Sequence, residues 1–181
     1  MARFLPALDE RLTAFIRAQR ILFTGTAPLN GRMNVSPKGL DTFRVLSPTR
    51  VGYLDLTGSG NETAAHLLEN GRITFLFCAF EGPPLIVRLY GQGRAVQQHH
   101  TEWQALRPHF GLPMQGERQL IIAELESVQT SCGFGIPEFA FRTDRSQLTD
   151  RAAHKGLEGL AAYRLEKNST SIDGAPTGWE G

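Results

Sequence analysis

Thr57-Gly58-Ser59-Gly60-Asn61-Glu62 is the stretch whose residue types best suit chemistry. It closes an alternating run and opens a segment in which Ala64, Leu67 and Leu68 have helical spacing. A glycine loop that delivers the start of a helix leaves backbone N–H groups unpaired beside the positive end of the helix dipole, and such a place suits a phosphate or carboxylate. Ser59 and Glu62 have the S-x-x-E spacing of a capping box and Gly71 sits where a C-terminal cap belongs, so a helix is expected over 61–70. The same residues also describe a capped helix that binds nothing, which is the commoner use of the pattern. Other chemistries find less support. His66, His99, His100, His109 and His154 show no metal-ligand spacing, and no metal site is expected. Cys78 lies in an apolar run and Cys132 in a glycine-punctuated loop, without a C-x-x-C pair. Both are expected to be reduced, with Cys132 in the setting more open to reaction. No nucleophile elbow, paired-carboxylate set, GxGxxG or P-loop is present.

The elements that would hold this loop can be read from periodicity. Residues 8–19 place Leu8, Leu12, Phe15 and Ile16 on one face of an amphipathic helix, and 21–26 form a first strand that ends at Asn30-Gly31, a pair suited to a tight hairpin. Strands are expected over 32–36, 42–46 and 50–56, each stopped by turn chemistry at Pro37, at Pro48 or in the glycine loop. After the helix, 72–80 is apolar on both alternate faces, which predicts a second covered surface beyond the core. Residues 85–96 form a strand with Gly91 and Gly93, the mark of a bulge or a close backbone approach. A short helix over 99–110 and a last strand over 118–128 follow. About six or seven antiparallel strands with short connections and two or three helices fit a small barrel better than a parallel sheet. Beyond Gln129 come a glycine-rich loop at 131–139, a charged helix over 147–166, and a tail over 168–181 rich in Ser, Thr, Gly and Pro, expected to be partly mobile unless something holds it.

The chain has 181 residues, 41% of them hydrophobic, and a net charge of +1, enough for one well-packed domain. A barrel part over 1–145 and a helical extension over 146–181 are the expected divisions. Mixed charges give no footprint for nucleic acid or an anionic membrane, no apolar run reaches membrane-spanning length, and the start of the chain lacks a signal-peptide core. A soluble cytoplasmic protein is expected.

Asn34-Val35-Ser36-Pro37-Lys38-Gly39, the strand 51–56, the loop 57–62 and the strand 72–80 together resemble the pyridoxamine 5′-phosphate oxidase-related family of FMN-binding split barrels, over roughly residues 10–130. The resemblance implies a mainly β, antiparallel split barrel that pairs as a homodimer around FMN, and a flavin-dependent oxidoreductase of unknown substrate. It places Asn34, Val35 and Ser36 beside the flavin ring, Lys38 near the phosphate, and Thr57, Ser59, Gly60 and Asn61 in the phosphate cradle. Two departures stand out. Gly60-Asn61-Glu62 replaces the basic pair usual after the loop, so that Arg44, Arg50, Arg72, Arg88 or Arg94 would have to compensate. The Arg-Leu-His-x-Arg run of true pyridoxamine phosphate oxidases is missing, which argues against the vitamin B6 reaction. The alternative is a non-catalytic dimer that has lost tight FMN binding and takes another small anion, haem or a protein partner.

Overall fold

The computed structural model describes residues 2–180. Alternating residues build most of it into one antiparallel sheet of eight strands: β1 (Arg3–Leu5), β2 (Leu22–Thr26), β3 (Asn34–Lys38), β4 (Phe43–Ser47), β5 (Arg50–Leu56), β6 (Arg72–Cys78), β7 (Ile86–Gln97) and β8 (Glu117–Ser131). The sheet order is β3-β2-β6-β7-β8-β5-β4, with β1 pairing β8 beside this path. The eighth strand is β1, three residues long, held only by its register with 128–130. Four helices flank the sheet: α1 (Glu10–Ala18), α2 (Glu62–Asn70), the short α3 (Trp103–Leu106) and α4 (Gln147–Lys167).

β3 and β4, the two ends of the sheet, share no backbone ladder, so the barrel is split along that side. The sheet nevertheless curls until Lys38 of β3 reaches Asp55 of β5, and the chain crosses the gap through Leu40 and Asp41, both at positive φ. Curling needs local freedom. At Gly91 the β7–β8 register shifts, and a Cβ there would overlap the Glu124 carbonyl oxygen.

Inside the curl lie Val51, Tyr53, Ile73, Phe75, Phe77, Val87, Leu89, Ile121 and Ala123, plugged at one end by Leu12 and Ile16 of α1 and by Leu8 just before it. Asp9 caps α1 by accepting the Leu12 N–H at 2.7 Å. The opposite faces of β5 and β8 form a second core of Leu54, Leu56, Leu120 and Ile122 under Phe110 and the α3 region. Burying two faces of the central strands explains their near-continuous apolar runs. β6 buries Ile73, Phe75 and Phe77 on one face, while Thr74 and Leu76 on the other stay half-buried, so the second covered surface expected there is only partly covered within this chain.

Several local expectations change. The connection from β2 to β3 spans residues 27–33, because Asn70 takes the Ala27 carbonyl, Glu69 takes the Leu29 N–H and Asp173 takes Arg32; a two-residue hairpin cannot make those contacts. The helix expected over 99–110 splits into a turn, α3 and a 3-10 turn at Arg107–Phe110, with Pro108 near the break. α4 is kinked at Gly156 (φ 65°, ψ 180°), which lets each half bury one side chain, Ala152 before the kink and Leu160 after it. The tail, described as far as Glu180, is held: Asn168, Ser171 and Thr177 are buried, and Asp173 pairs with Arg32. Among the described residues no helix is long and apolar enough to cross a membrane.

Candidate functional site

Strand periodicity decides which residues of β3 can act together. Asn34, Ser36 and Lys38 turn toward the split, whereas Val35 and Pro37 face away and are exposed. Across the split, Asp55 shares the inward face of β5 with Val51 and Tyr53. The register of β5 against β8 shifts between Asp55 and Leu56: Asp55 faces Gln119, Leu56 faces Glu117, and Arg118 is the extra residue of a bulge. The bulge re-aims Arg118, which would otherwise point with Leu120 and Ile122, into the same place.

These side chains form one buried polar knot. Asp55 accepts from Lys38 Nζ at 3.0 Å, from Arg118 Nη2 at 2.6 Å and Nε at 3.2 Å, and from Gln119 Nε2 at 2.9 Å. Gln119 Nε2 also donates to Asn61 Oδ1 at 2.8 Å, and Arg118 Nη1 to the Gly60 carbonyl at 2.9 Å, which ties the 57–61 loop to β8. Burial would push the Asp55 carboxyl up, but Arg118 and Lys38 hold it well below the usual carboxylate range. For Lys38 burial acts downward, and the Asp55 carboxylate more than offsets it, so the ammonium sits above its ordinary value. Burial pushes Tyr53, whose ring lies 5.1 Å under Lys38 Nζ, up to about 12; Thr63 lies beside its hydroxyl without a well-formed hydrogen bond. Near neutral pH Asp55 and Lys38 stay charged and Tyr53 stays a neutral phenol, so the knot suits binding and orientation better than proton transfer.

Above the knot opens a cavity of about 230 Å³ lined by Asn34, Ser36, Lys38, Asp55, the residues 58–63 and Arg118. Asn34, Ser36, Lys38, Ser59, Gly60 and Asn61, six of the residues singled out in the sequence, therefore meet at one place. Val35 lines a different groove with Thr26 and Tyr90. Thr57 is buried behind the loop, where its hydroxyl donates to the Gly116 carbonyl at 2.9 Å and accepts from Arg164 Nε at 2.8 Å.

α2 begins at this cavity, with Asn61 as its N-cap residue. The capping box does not form. Ser59 makes no cap bond, Glu62 accepts the Ile172 N–H of the tail at 3.1 Å, and the Asn61 amide is drawn off to Gln119 and to the Asn168 carbonyl. The first-turn N–H groups of Glu62, Thr63 and Ala64 consequently have no partner among the described residues. Of the two cations lining the cavity Lys38 is the more open, its side chain 22% exposed against 3% for Arg118, and two of its three N–H donors are unused.

None of the five arginines expected to compensate lines the cavity: Arg44 bonds Asp41, Arg50 pairs with Glu124, Arg72 bonds Asn70, Arg88 bonds Ser131 and Arg94 pairs with Glu102. The arginines that do come near are Arg118 and, behind Thr57, Arg164 of α4. No histidine lines the cavity; the His66 ring is buried against Thr26 at 2.9 Å. One signal for the knot was present in the sequence: an aspartate at the inward position of an apolar strand must be paired to be buried.

A family model described as pyridoxamine 5′-phosphate oxidase matches residues 8–132. A protein of Aspergillus flavus, pyridoxamine 5′-phosphate oxidase family protein ustO, is 37% identical over 193 residues, covering 97% of this chain and 78% of its own length. The crystal structure of HupZ from Group A Streptococcus superposes with a TM-score of 0.56 at 19% identity, over 67% of this chain and 91% of that one. A point variant of HupZ gives 0.57 at 19% identity, over 68% and 98%. At that identity the likeness speaks to the fold alone, a split barrel.

Proposed function

The chain belongs to the pyridoxamine 5′-phosphate oxidase family, and from that premise we propose that it binds FMN and acts as a flavin-dependent oxidoreductase on a substrate other than a B6 vitamer. The observation that carries this reading is the cavity at the start of α2, where free first-turn N–H groups, the Lys38 ammonium and the Ser36 and Ser59 hydroxyls converge. That donor set fits a phosphate monoester. Lys38 supplies charge, the α2 N–H groups supply direction, and Asp55 holds the ammonium in place at the cavity floor. At about 230 Å³ the cavity is smaller than the roughly 300–1,000 Å³ of sites that enclose whole ligands of this size. The phosphate end fits inside; the ring then lies along the Asn34 and Ser36 face of β3 and needs a cover, which a second subunit would supply. Bound FMN supplies hydride or electron transfer, while the residues of this chain bind it, orient it and exclude water.

A second reading has its own observation. Glu62 lines the same cavity with its carboxylate, and Asp55 already neutralises one of the two cations at the floor. Both favour a weakly held small anion in a non-catalytic protein. Titrating FMN into purified protein while following flavin fluorescence, after recording the visible absorption of the untreated sample, separates the two. Saturation at about micromolar FMN or tighter, worth roughly 8 kcal/mol, supports the flavoprotein. Absence of binding by folded protein at millimolar FMN rejects it.

A further inference from the structure

On the other side of the 57–59 loop from the Lys38 cavity lies a second, smaller cavity of about 80 Å³, lined by Thr57, Gly58, Ser59, Leu148, Arg151, Ala152, Lys155, Leu160 and Tyr163. The two cavities share Gly58 and Ser59 as a common wall. Arg151 and Lys155 are one helical turn apart on α4, so both project from the same face of the helix, and neither forms an ion pair among the described residues. Lys155 Nζ lies 4.7 Å over the ring of Tyr163 and makes no hydrogen bond to another described residue. No carboxylate is among the lining residues. Two like charges facing one small space repel each other until an anion joins them.

The helix that brings them is fixed there by close packing. A Cβ on Gly116 would lie 2.8 Å from the Ala152 Cβ, and the Gly116 carbonyl accepts the Thr57 N–H at 2.8 Å and the Thr57 hydroxyl at 2.9 Å. Beyond the Gly156 kink Arg164 reaches the same Thr57 hydroxyl and the Glu117 carbonyl. Both halves of α4 therefore aim cations at one loop. Around 57–62 stand Lys38, Arg118, Arg151, Lys155 and Arg164 against the carboxylates of Asp55 and Glu62.

We propose that Arg151 and Lys155, beside the 57–59 loop, form a second oxyanion subsite, supplied by the C-terminal helix, that takes the phosphate monoester of a small molecule. The space admits a tetrahedral oxyanion and excludes a ring system, so the rest of the ligand lies outside it. Two sources share this chemistry: a phosphorylated substrate held next to the cofactor, or the phosphate of FMN itself entering from the α4 side. The subsite stands on its own geometry; only the choice between these sources rests on the flavin reading.

The test uses the full chain and an Arg151→Ala/Lys155→Ala double variant. Arg151 is exposed, Lys155 is half-exposed, and alanine favours a helix, so the unfolding midpoint should hold. Inorganic phosphate is titrated by calorimetry at low salt, with Lys38→Ala alongside. The expected result is that the double variant loses, by at least tenfold in affinity, the phosphate site that Lys38→Ala keeps, with its unfolding midpoint unchanged. No phosphate binding by wild type up to 20 mM (about a 2 kcal/mol affinity limit), equal binding in the double variant, or a loss confined to Lys38→Ala would each overturn the subsite. FMN and riboflavin titrations then assign the source. Weaker FMN with unchanged riboflavin in the double variant gives the subsite to the cofactor, whereas unchanged FMN with lost phosphate binding gives it to a substrate. Should FMN not bind even wild type, the phosphate arm still decides the subsite.

Discussion

Replacing Asp55 with asparagine keeps the shape of the polar knot and removes its only negative charge. The two cations then fare differently. Lys38 is 22% exposed and can turn its ammonium to water, but Arg118, 3% exposed and held to the Gly60 carbonyl, remains a buried charge without a counter-ion. Removing one partner of a buried ion pair costs about 3–5 kcal/mol, and the freedom of Lys38 points to the lower end, about 3 kcal/mol. For a chain of this length that lowers the unfolding midpoint by roughly 6–12 °C, read by circular dichroism or calorimetry at pH 7. The acid limb gives an independent reading. Because the folded carboxyl of Asp55 is depressed below its unfolded value, its stabilisation is complete above the unfolded value and fades as pH falls through the carboxylate range toward the folded one. Wild type should lose that share of stability below about pH 4, and Asp55→Asn should lack it. For Lys38, raised in the folded state, the share is complete at neutral pH and goes only as pH climbs past the ordinary lysine value. A drop of less than about 3 °C together with an unchanged acid limb would refute the reasoning, since Arg118 would then not depend on Asp55.

Two further outcomes are expected. Lys38→Ala should weaken FMN by about 10- to 150-fold, the worth of a charge-assisted hydrogen bond, and an unchanged fluorescence titration would remove Lys38 from the phosphate site. Gly116→Ala places a side chain at φ +86° and against Ala152, so it should cost about 1–3 kcal/mol and weaken inorganic phosphate binding as α4 is pushed off the loop. A variant with a wild-type melting curve and wild-type phosphate binding would show that α4 does not depend on that close approach.

The strands from β2 onward were legible in the sequence because a half-buried strand must alternate, but Pro37, expected to stop one at residue 36, lies inside β3 opposite Phe23, an edge position where a missing N–H costs no ladder bond. β1 was not, since three residues carry no period and their conformation comes wholly from β8. The loop 57–61 and the inward residues of β3 were singled out together in the sequence and line one cavity; that Val35 and Thr57 face other ways follows from strand parity and from Gly116, and only the parity could have been read beforehand. Arg118 escaped notice because a bulge, whose position depends on the partner strand, turns it inward. The capping box failed for a similar reason. Ser59 and Glu62 have the right spacing, but Ile172, 110 residues along the chain, takes the Glu62 carboxylate. Local patterns state what a residue can do, and distant contacts decide which option is used.

The split in the barrel also sets how this molecule would answer to mechanical load. Along β7 and β8 twelve paired positions act in parallel, so a pull along those strands must shear many backbone bonds together. Across the gap between β3 and β5 no ladder exists among the described residues, and the Lys38–Asp55 ion pair carries the tension, with Asp55 anchored behind it by Arg118. A force drawing residues 36 and 54 apart would therefore open the seam at a small fraction of the load that β7 and β8 withstand. It would part the walls of the anion cavity while the core behind it stayed intact.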